Sequence, residues 1–166
     1  MTAPRYVAMI GKGARCPAPV AARARHAGAA LAKLHPAIVL ICGGLGGVMD
    51  AGALGMTKAG GVCIGLVPGT AYRPSPHLTY ALRLGLPPLF RNMIMSYAAE
   101  LGVVLPGSHG TLTEGWAMAD RGVPLIMCGS HAGYATAELP YSASAEPDAL
   151  PVAVAALLDL PPLAGS

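Results

Sequence analysis

The residues best suited to chemistry lie in Leu105-Pro-Gly-Ser-His-Gly-Thr-Leu-Thr-Glu114, with Phe90-Arg-Asn-Met-Ile-Met95 upstream. The first stretch reads as a strand, a tight glycine turn and a helix start, with a carboxylate in the first helical turn. Such a turn presents several backbone N–H groups to an anion, and the helix dipole adds about half a positive charge there. Gly107, Ser108, His109, Gly110 and Thr111 are therefore candidate phosphate-binding residues. The turn is not a Walker loop, because no Lys follows the second glycine. Thr111-x-x-Glu114 also has the form of a capping box, which stabilises a helix start with no ligand present. Capping accounts for Thr111 and Glu114 but not for the glycines before them. His109 is either an acid or base, or an ordinary histidine at a loop tip.

Only 11 Lys and Arg and 8 Asp and Glu occur in 166 residues, so each charge in an apolar setting carries information. Glu114 has two readings. It caps the helix, or it lies in a cleft, where it binds sugar hydroxyls or stabilises positive charge building on a ribose. Hydrolysis of a glycosidic bond passes through an oxocarbenium-like state that a nearby carboxylate favours. Arg91 sits among Leu89, Phe90, Met93, Ile94, Met95 and Tyr97. Either it snorkels to solvent, or its guanidinium reaches a phosphate or orients Glu114. Asn92 could hydrogen-bond a ligand or the backbone.

These residues need a scaffold, and the hydrophobic pattern supplies one. Apolar runs at Tyr6–Ile10, Ala37–Cys42, Val62–Val67, Tyr80–Leu84, Gly102–Leu105 and Pro124–Cys128 read as strands. Helical spacing marks Pro17–Leu34, Val48–Ala59, Pro87–Glu100 and Thr111–Asp120, with a last helix in Pro147–Leu160 interrupted near Pro151. Tyr72–His77 and Gly129–Tyr141 read as loops. The alternation predicts one α/β domain over residues 1–166: a doubly wound, mostly parallel sheet with helices on both faces, frayed after about residue 160. Ligands of such sheets bind at a switch point beyond the strand carboxyl ends. Three glycine loops fall there: Gly11–Gly13, Gly43–Gly47 and Gly107–Gly110. They predict one composite site that also draws on Gly11, Gly13, Gly43, Gly44 and Gly46. The Gly43–Gly47 spacing is not G-x-G-x-x-G, and no acid ends the next strand to hold a ribose. A plain turn explains that loop as well as a ligand does.

Composition narrows the function. The net charge is +3 and the basic residues are scattered, which argues against a nucleic-acid surface. A small anionic ligand remains compatible. Cys16, Cys42, Cys63 and Cys128 form no C-x-x-C pair, and the histidines show no metal-ligand spacing, so no metal site is expected. The cysteines read as buried hydrophobes of a reducing cytosol. The apolar N-terminal run is too short for a signal peptide. The uncharged stretch Gly122–Ala137 is broken by Pro124, Gly129 and Gly133 and falls short of the ~20 residues of a spanning helix. A cytoplasmic protein with no membrane partner is expected. Helices with as few charges as Pro87–Glu100 point to a homodimer or tetramer.

Gly43-Gly-Leu-Gly-Gly-Val-Met49, Arg91-x-x-x-Met95 and Pro106-Gly-Ser-His-Gly-Thr-x-x-Glu114, in that order, resemble the lonely guy superfamily of Rossmann-like nucleotide-binding proteins. Its members long carried a lysine decarboxylase label, which finds no support here: no lysine is placed for pyridoxal chemistry. The resemblance spans nearly the whole chain. Its best-known members are cytokinin-activating phosphoribohydrolases, which cleave nucleoside 5′-monophosphates to free base and ribose 5-phosphate. The resemblance implies Arg91 and Glu114 as the catalytic pair, with Gly107, Gly110 and Thr111 on the phosphate and no cofactor. The chain departs from that motif at Ser108, where the family has Gly, and at Asn92, where it has Lys. Ser108 would block a loop that needs a positive φ. These departures resemble a shorter branch that includes molybdenum cofactor carriers, which bind a phosphate-bearing pterin without catalysis. The resemblance thus implies first a nucleoside 5′-monophosphate phosphoribohydrolase; the alternative is a non-catalytic carrier of a phosphorylated ligand such as the molybdenum cofactor, or a nucleotide sensor.

Overall fold

The computed structural model describes residues 3–160. The predicted fraying beyond about residue 160 lies outside them. Seven strands form one sheet: β1 (Arg5–Ile10), β2 (Ile38–Cys42), β3 (Val62–Val67), β4 (Tyr80–Arg83), β5 (Leu101–Val104), β6 (Leu125–Cys128) and β7 (Ala143–Ala145). Their spatial order is β4-β3-β2-β1-β5-β6-β7, and every pairing is parallel. The sheet is thus wholly rather than mostly parallel.

The helices are α1 (Ala18–Leu34), α2 (Val48–Lys58), α3 (Pro88–Ala98), α4 (His109–Ala119) and α5 (Leu150–Leu157). Alternation along the strands divides them between the two faces. Val7 and Met9 of β1 pack with Ala24, Leu31, Met56 and Val154 of α1, α2 and α5. Ala8 and Ile10 pack with Met95, Ala99 and Met118 of α3 and α4. Both cores are built from Met, Ile, Leu, Val and Ala, with Phe90, Trp116, Tyr80 and Tyr97 left outside.

β4 sits at the sheet edge with all four residues exposed. Tyr80 and Leu82 pair in register with Ile64 and Leu66. Ile64 and Leu66 belong to the core under α3 and α4, so Tyr80 and Leu82 continue that face beyond the helices.

Four local expectations need correction. α4 begins at His109, two residues before the predicted start, which makes His109 a helical residue rather than a loop tip. Gly129–Tyr141 is not all loop, since Ala135–Glu138 forms a 3-10 helix. β7 follows it and was not foreseen, because three small residues carry no period-2 signal. Pro151 does not interrupt α5 but occupies its first turn, where a missing N–H costs nothing.

Candidate functional site

The sheet changes direction between β1 and β5, with β2 added on one side and β5 on the other. At their carboxyl ends the three glycine loops are stitched together by backbone hydrogen bonds. Leu105 N–H donates to Ile10 C=O (2.9 Å), Lys12 N–H to Pro106 C=O (2.9 Å), and Val48 N–H to Lys12 C=O (2.9 Å). Gly47 makes this contact possible. It holds φ +70°, and a Cβ there would overlap the Lys12 and Gly13 carbonyls.

A cavity of about 150 Å³ opens at this switch point. Gly11, Gly13 and Gly43 form one wall, and Ser108, Gly110, Thr111 and Glu114 form another. Arg91 and Asn92 close it from α3, with Met9, Ile10, Met49 and Met95 as apolar lining. Four of the predicted residues lie elsewhere. Gly44 backs onto Gly65 and Val67, Gly46 has open space around its Cα, His109 is exposed, and Gly107 turns its N–H onto Thr136.

Arg91 does not snorkel. It is 7% exposed, and its Nη1 lies 3.9 Å from the Met49 sulfur, a weak acceptor. Gly43 leaves room for the guanidinium, because a Cβ at that position would overlap it. Arg91 Nε and the neighbouring Asn92 Oδ1 are buried with no hydrogen-bond partner. Together they are two of three such atoms among the described residues. Native structures leave few buried polar groups unpaired, and each costs about 1–3 kcal/mol, more when charged. Ser96, fully buried, ties this helix to α4, its Oγ lying 2.9 Å from Asn92 C=O and 3.2 Å from Glu114 C=O.

The turn into α4 supplies the complementary donors. Its N-cap is Ser108, which makes no side-chain cap. The capping-box expectation therefore fails: Thr111 is the third helical residue and Glu114 the sixth, too far along to cap. Leu112 N–H makes the first helical bond, to Ser108 C=O. The N–H groups of Ser108, His109, Gly110 and Thr111 accordingly have no backbone partner among the described residues, as at any helix start. Ser108 has φ −117° and ψ −157°, ordinary extended backbone, so the turn does not require a positive φ there.

Glu114 faces the same cavity and is 8% exposed. Burial pushes its carboxyl up to about 7, against the opposing pull of the Arg91 charge. No ion pair joins the two among the described residues. Arg91 thus does not orient Glu114 by direct contact, and both side chains line the cavity. The arrangement thus offers an anion a guanidinium and the free N–H groups of the cavity-lining Ser108, Gly110 and Thr111, and offers a hydroxyl or a developing cation one carboxyl group of near-neutral pKa.

Sequence reasoning passed over Met9 and Ile10, whose apolar character marks them only as core. It also passed over Thr136, since nothing local sets one Thr in a loop apart. The cysteines behave as expected: Cys42, Cys63 and Cys128 are buried free thiols, and burial pushes Cys128 up to about 12. Among the described residues no group of His, Cys, Asp and Glu is placed to hold a metal ion, and no helix is long and apolar enough to cross a membrane.

A parallel doubly wound sheet with an anion-ready cavity at its switch point defines a Rossmann-like ligand-binding protein. Within that class the chain belongs to the SLOG cluster4 family, whose model matches residues 4–150, in the LOG-like SLOG superfamily. The motif resemblance is thereby borne out at the level of the superfamily. Among solved structures the chain resembles TM1055, a structural-genomics target, at 26% identity over 76% of this chain and 75% of that one, with TM-score 0.70. It is similar to the molybdenum cofactor binding protein of Rippkaea orientalis at 22% identity, covering 95% of this chain and 99% of that one, with TM-score 0.80. The molybdenum cofactor carrier protein of Chlamydomonas reinhardtii matches at 22% identity over 94% and 99%, also with TM-score 0.80. A search of curated proteins returned no match.

Proposed function

We propose that the chain binds a small phosphorylated ligand at the switch-point cavity and holds it without turnover, as a carrier or sensor. The observation that carries this reading is that Arg91 and Asn92, each with a buried polar atom left unpartnered (Nε and Oδ1), both line the cavity. A ligand that hydrogen-bonds them removes a standing cost of burial. A phosphate meets Arg91 and the free N–H groups of the α4 turn, while a polar hydrogen of the ligand meets Asn92. The cavity of about 150 Å³ is below the ~300–1,000 Å³ of a site that swallows a drug-sized ligand. It suits the phosphate end, with the remainder across the rim. The likeness to two proteins named for the molybdenum cofactor supports a phosphorylated pterin as cargo. The Ser108 and Asn92 departures point the same way.

One observation favours a second reading, the phosphoribohydrolase. Glu114 is buried in the same cavity with a carboxyl that titrates near neutrality. In that reading it binds the ribose hydroxyls and, once ionised, stabilises the oxocarbenium, while Arg91 positions the phosphate and water completes the cleavage. Two measurements separate the readings: base release from a panel of nucleoside 5′-monophosphates with Glu114→Ala as control, and native mass spectrometry of the purified protein. Release that disappears in the variant establishes the hydrolase. No release, together with a copurifying phosphorylated molecule, establishes the carrier. No release and no binding of phosphate compounds overturns both.

We further propose a homo-oligomer working in the cytoplasm, assembled through the outer face of α3. The exposed residues of this helix are Pro88, Leu89, Phe90, Ile94, Tyr97 and Ala98, none charged. Phe90 is 58% and Tyr97 60% exposed, and Tyr80, Leu82, Leu86 and Trp116 add to the apolar exposure on this side of the sheet. The combined exposed surface is on the order of the ~800 Å² that each partner gives a standard interface. The Arg121 guanidinium lies over the Tyr97 ring, 4.4 Å from its centroid, at the margin of this face; an α3 face with no charge of its own is compatible with itself across a two-fold axis, which makes a second copy its fitting occupant.

A further inference from the structure

We propose that Thr136, held by Tyr141 and His131, is a positioning residue that sets the direction of the anion-binding turn; this rests on the phosphate site inferred above. The turn is the hinge between β5 and α4, and the aim of the Ser108–Thr111 N–H groups depends on how Gly107 is held. One side of the hinge is fixed by Lys12 N–H, which donates to Pro106 C=O at 2.9 Å. The other is fixed by Thr136, whose Oγ1 accepts the Gly107 N–H at 3.3 Å inside the protein. The Gly107 N–H is thus committed to Thr136 rather than left free for an anion.

Thr136 is fully buried in the 3-10 helix between β6 and β7, far from the turn in sequence. Its backbone is itself held. Tyr141 O–H donates to Thr136 C=O at 2.6 Å, which leaves the phenol oxygen free to accept from His131 Nδ1–H at 3.2 Å. The His131 and Tyr141 rings meet edge to face, 5.7 Å apart at 84°. His131 is 2% exposed. Thr136 and His131 are buried and Tyr141 half-buried, and their hydrogen bonds run as one chain, although His131 Nε2 has no partner. The chain ends on the backbone of the anion-binding turn. A connection without chemistry of its own thus becomes a fourth element of the site, behind the three glycine loops.

Replacing Thr136 by Val keeps the shape and removes the acceptor, leaving the Gly107 N–H free to swing toward the cavity. Calorimetric titration with inorganic phosphate and with ribose 5-phosphate should show Thr136→Val at least about fivefold weaker than wild type, the order expected for one lost buried hydrogen bond. Thr136→Ser, which retains the hydroxyl, should bind within about twofold of wild type. Amide exchange followed by NMR gives a ligand-free readout: Gly107 should exchange about tenfold faster in Thr136→Val, with Met9 in the central strand unchanged. Tyr141→Phe should show the same two effects in smaller measure, and it decides the matter should Thr136→Val not fold. Wild-type affinity together with unchanged Gly107 exchange in these variants overturns the positioning role. Should the wild type bind neither compound, the phosphate site itself is refuted, and Gly107 exchange still tests the clamp.

Discussion

Glu114 gives the site a thermodynamic signature that can be read with no ligand. Its carboxyl rises from the ordinary 4.5 to about 7, with burial as the first cause and the Arg91 charge opposing it. Below pH 4.5 the group is protonated folded or unfolded and stability is unaffected. Between 4.5 and 7 the unfolded chain releases its proton while the folded chain retains it, so folding loses stability as pH rises. Above 7 both states are ionised and the full cost is present. At ~1.4 kcal/mol per pH unit the difference is about 3 kcal/mol. Glu114→Gln replaces the acid by a neutral group of the same shape and removes that cost. The variant should match wild type near pH 4.5, apart from a constant offset, and gain about 3 kcal/mol on it by pH 8. In a chain of this length that corresponds to a Tm higher by roughly 5–10 °C. Urea denaturation of both proteins from pH 4.5 to pH 8.5, in phosphate-free buffer, measures it. A gap that does not change with pH would refute the reasoning, and would mean that Glu114 reaches water or pairs with Arg91 directly.

The same carboxyl should govern anion binding. An ionised Glu114 repels a phosphate, so affinity should fall as pH rises through about 7, and Glu114→Gln should flatten that part of the profile in calorimetric titrations. Gly43→Ala places a methyl group on the Arg91 guanidinium; phosphate affinity should drop at least tenfold and stability by about 1–3 kcal/mol, and unchanged binding would show that Arg91 is not the anchor. Ser108→Gly should cost about 0.5–1 kcal/mol in chain entropy and leave binding within about twofold, since Ser108 is already in relaxed extended backbone. A large gain in affinity would instead mean that the bound turn needs a positive φ. Phe90→Glu and Tyr97→Glu should each yield a monomer by light scattering, and a monomeric wild type would refute the proposed interface.

The fold was legible because its signals are local. Ile38-Val-Leu-Ile-Cys42 and Val62-Cys-Ile-Gly-Leu-Val67 are continuous apolar runs, which in an α/β chain mean strands covered on both faces. The switch-point location followed from strand alternation together with glycines at the carboxyl ends. What was not legible depends on contacts distant in sequence. Arg91 looks like a snorkelling side chain among apolar neighbours, and only the seat of α3 above β1 shows that it points inward. Thr136 acquires a role through Gly107, 29 positions away.

The most instructive case is Thr111-x-x-Glu114, where a two-residue difference in the helix start reverses the meaning of the pair. Were Thr111 the cap, Glu114 would reach back to the Thr111 N–H and both side chains would be satisfied locally. With the helix starting at His109, the pair falls on one inward face, three residues apart, and lines the cavity. Ser108 then holds the cap position without a side-chain bond, and the first-turn N–H groups stay open. A helix start that forgoes side-chain capping, beside a buried guanidinium with an unpartnered nitrogen, keeps donors free where a polar surface would ordinarily have consumed them. Together the two form the local energetic deficit that the proposed phosphate would fill.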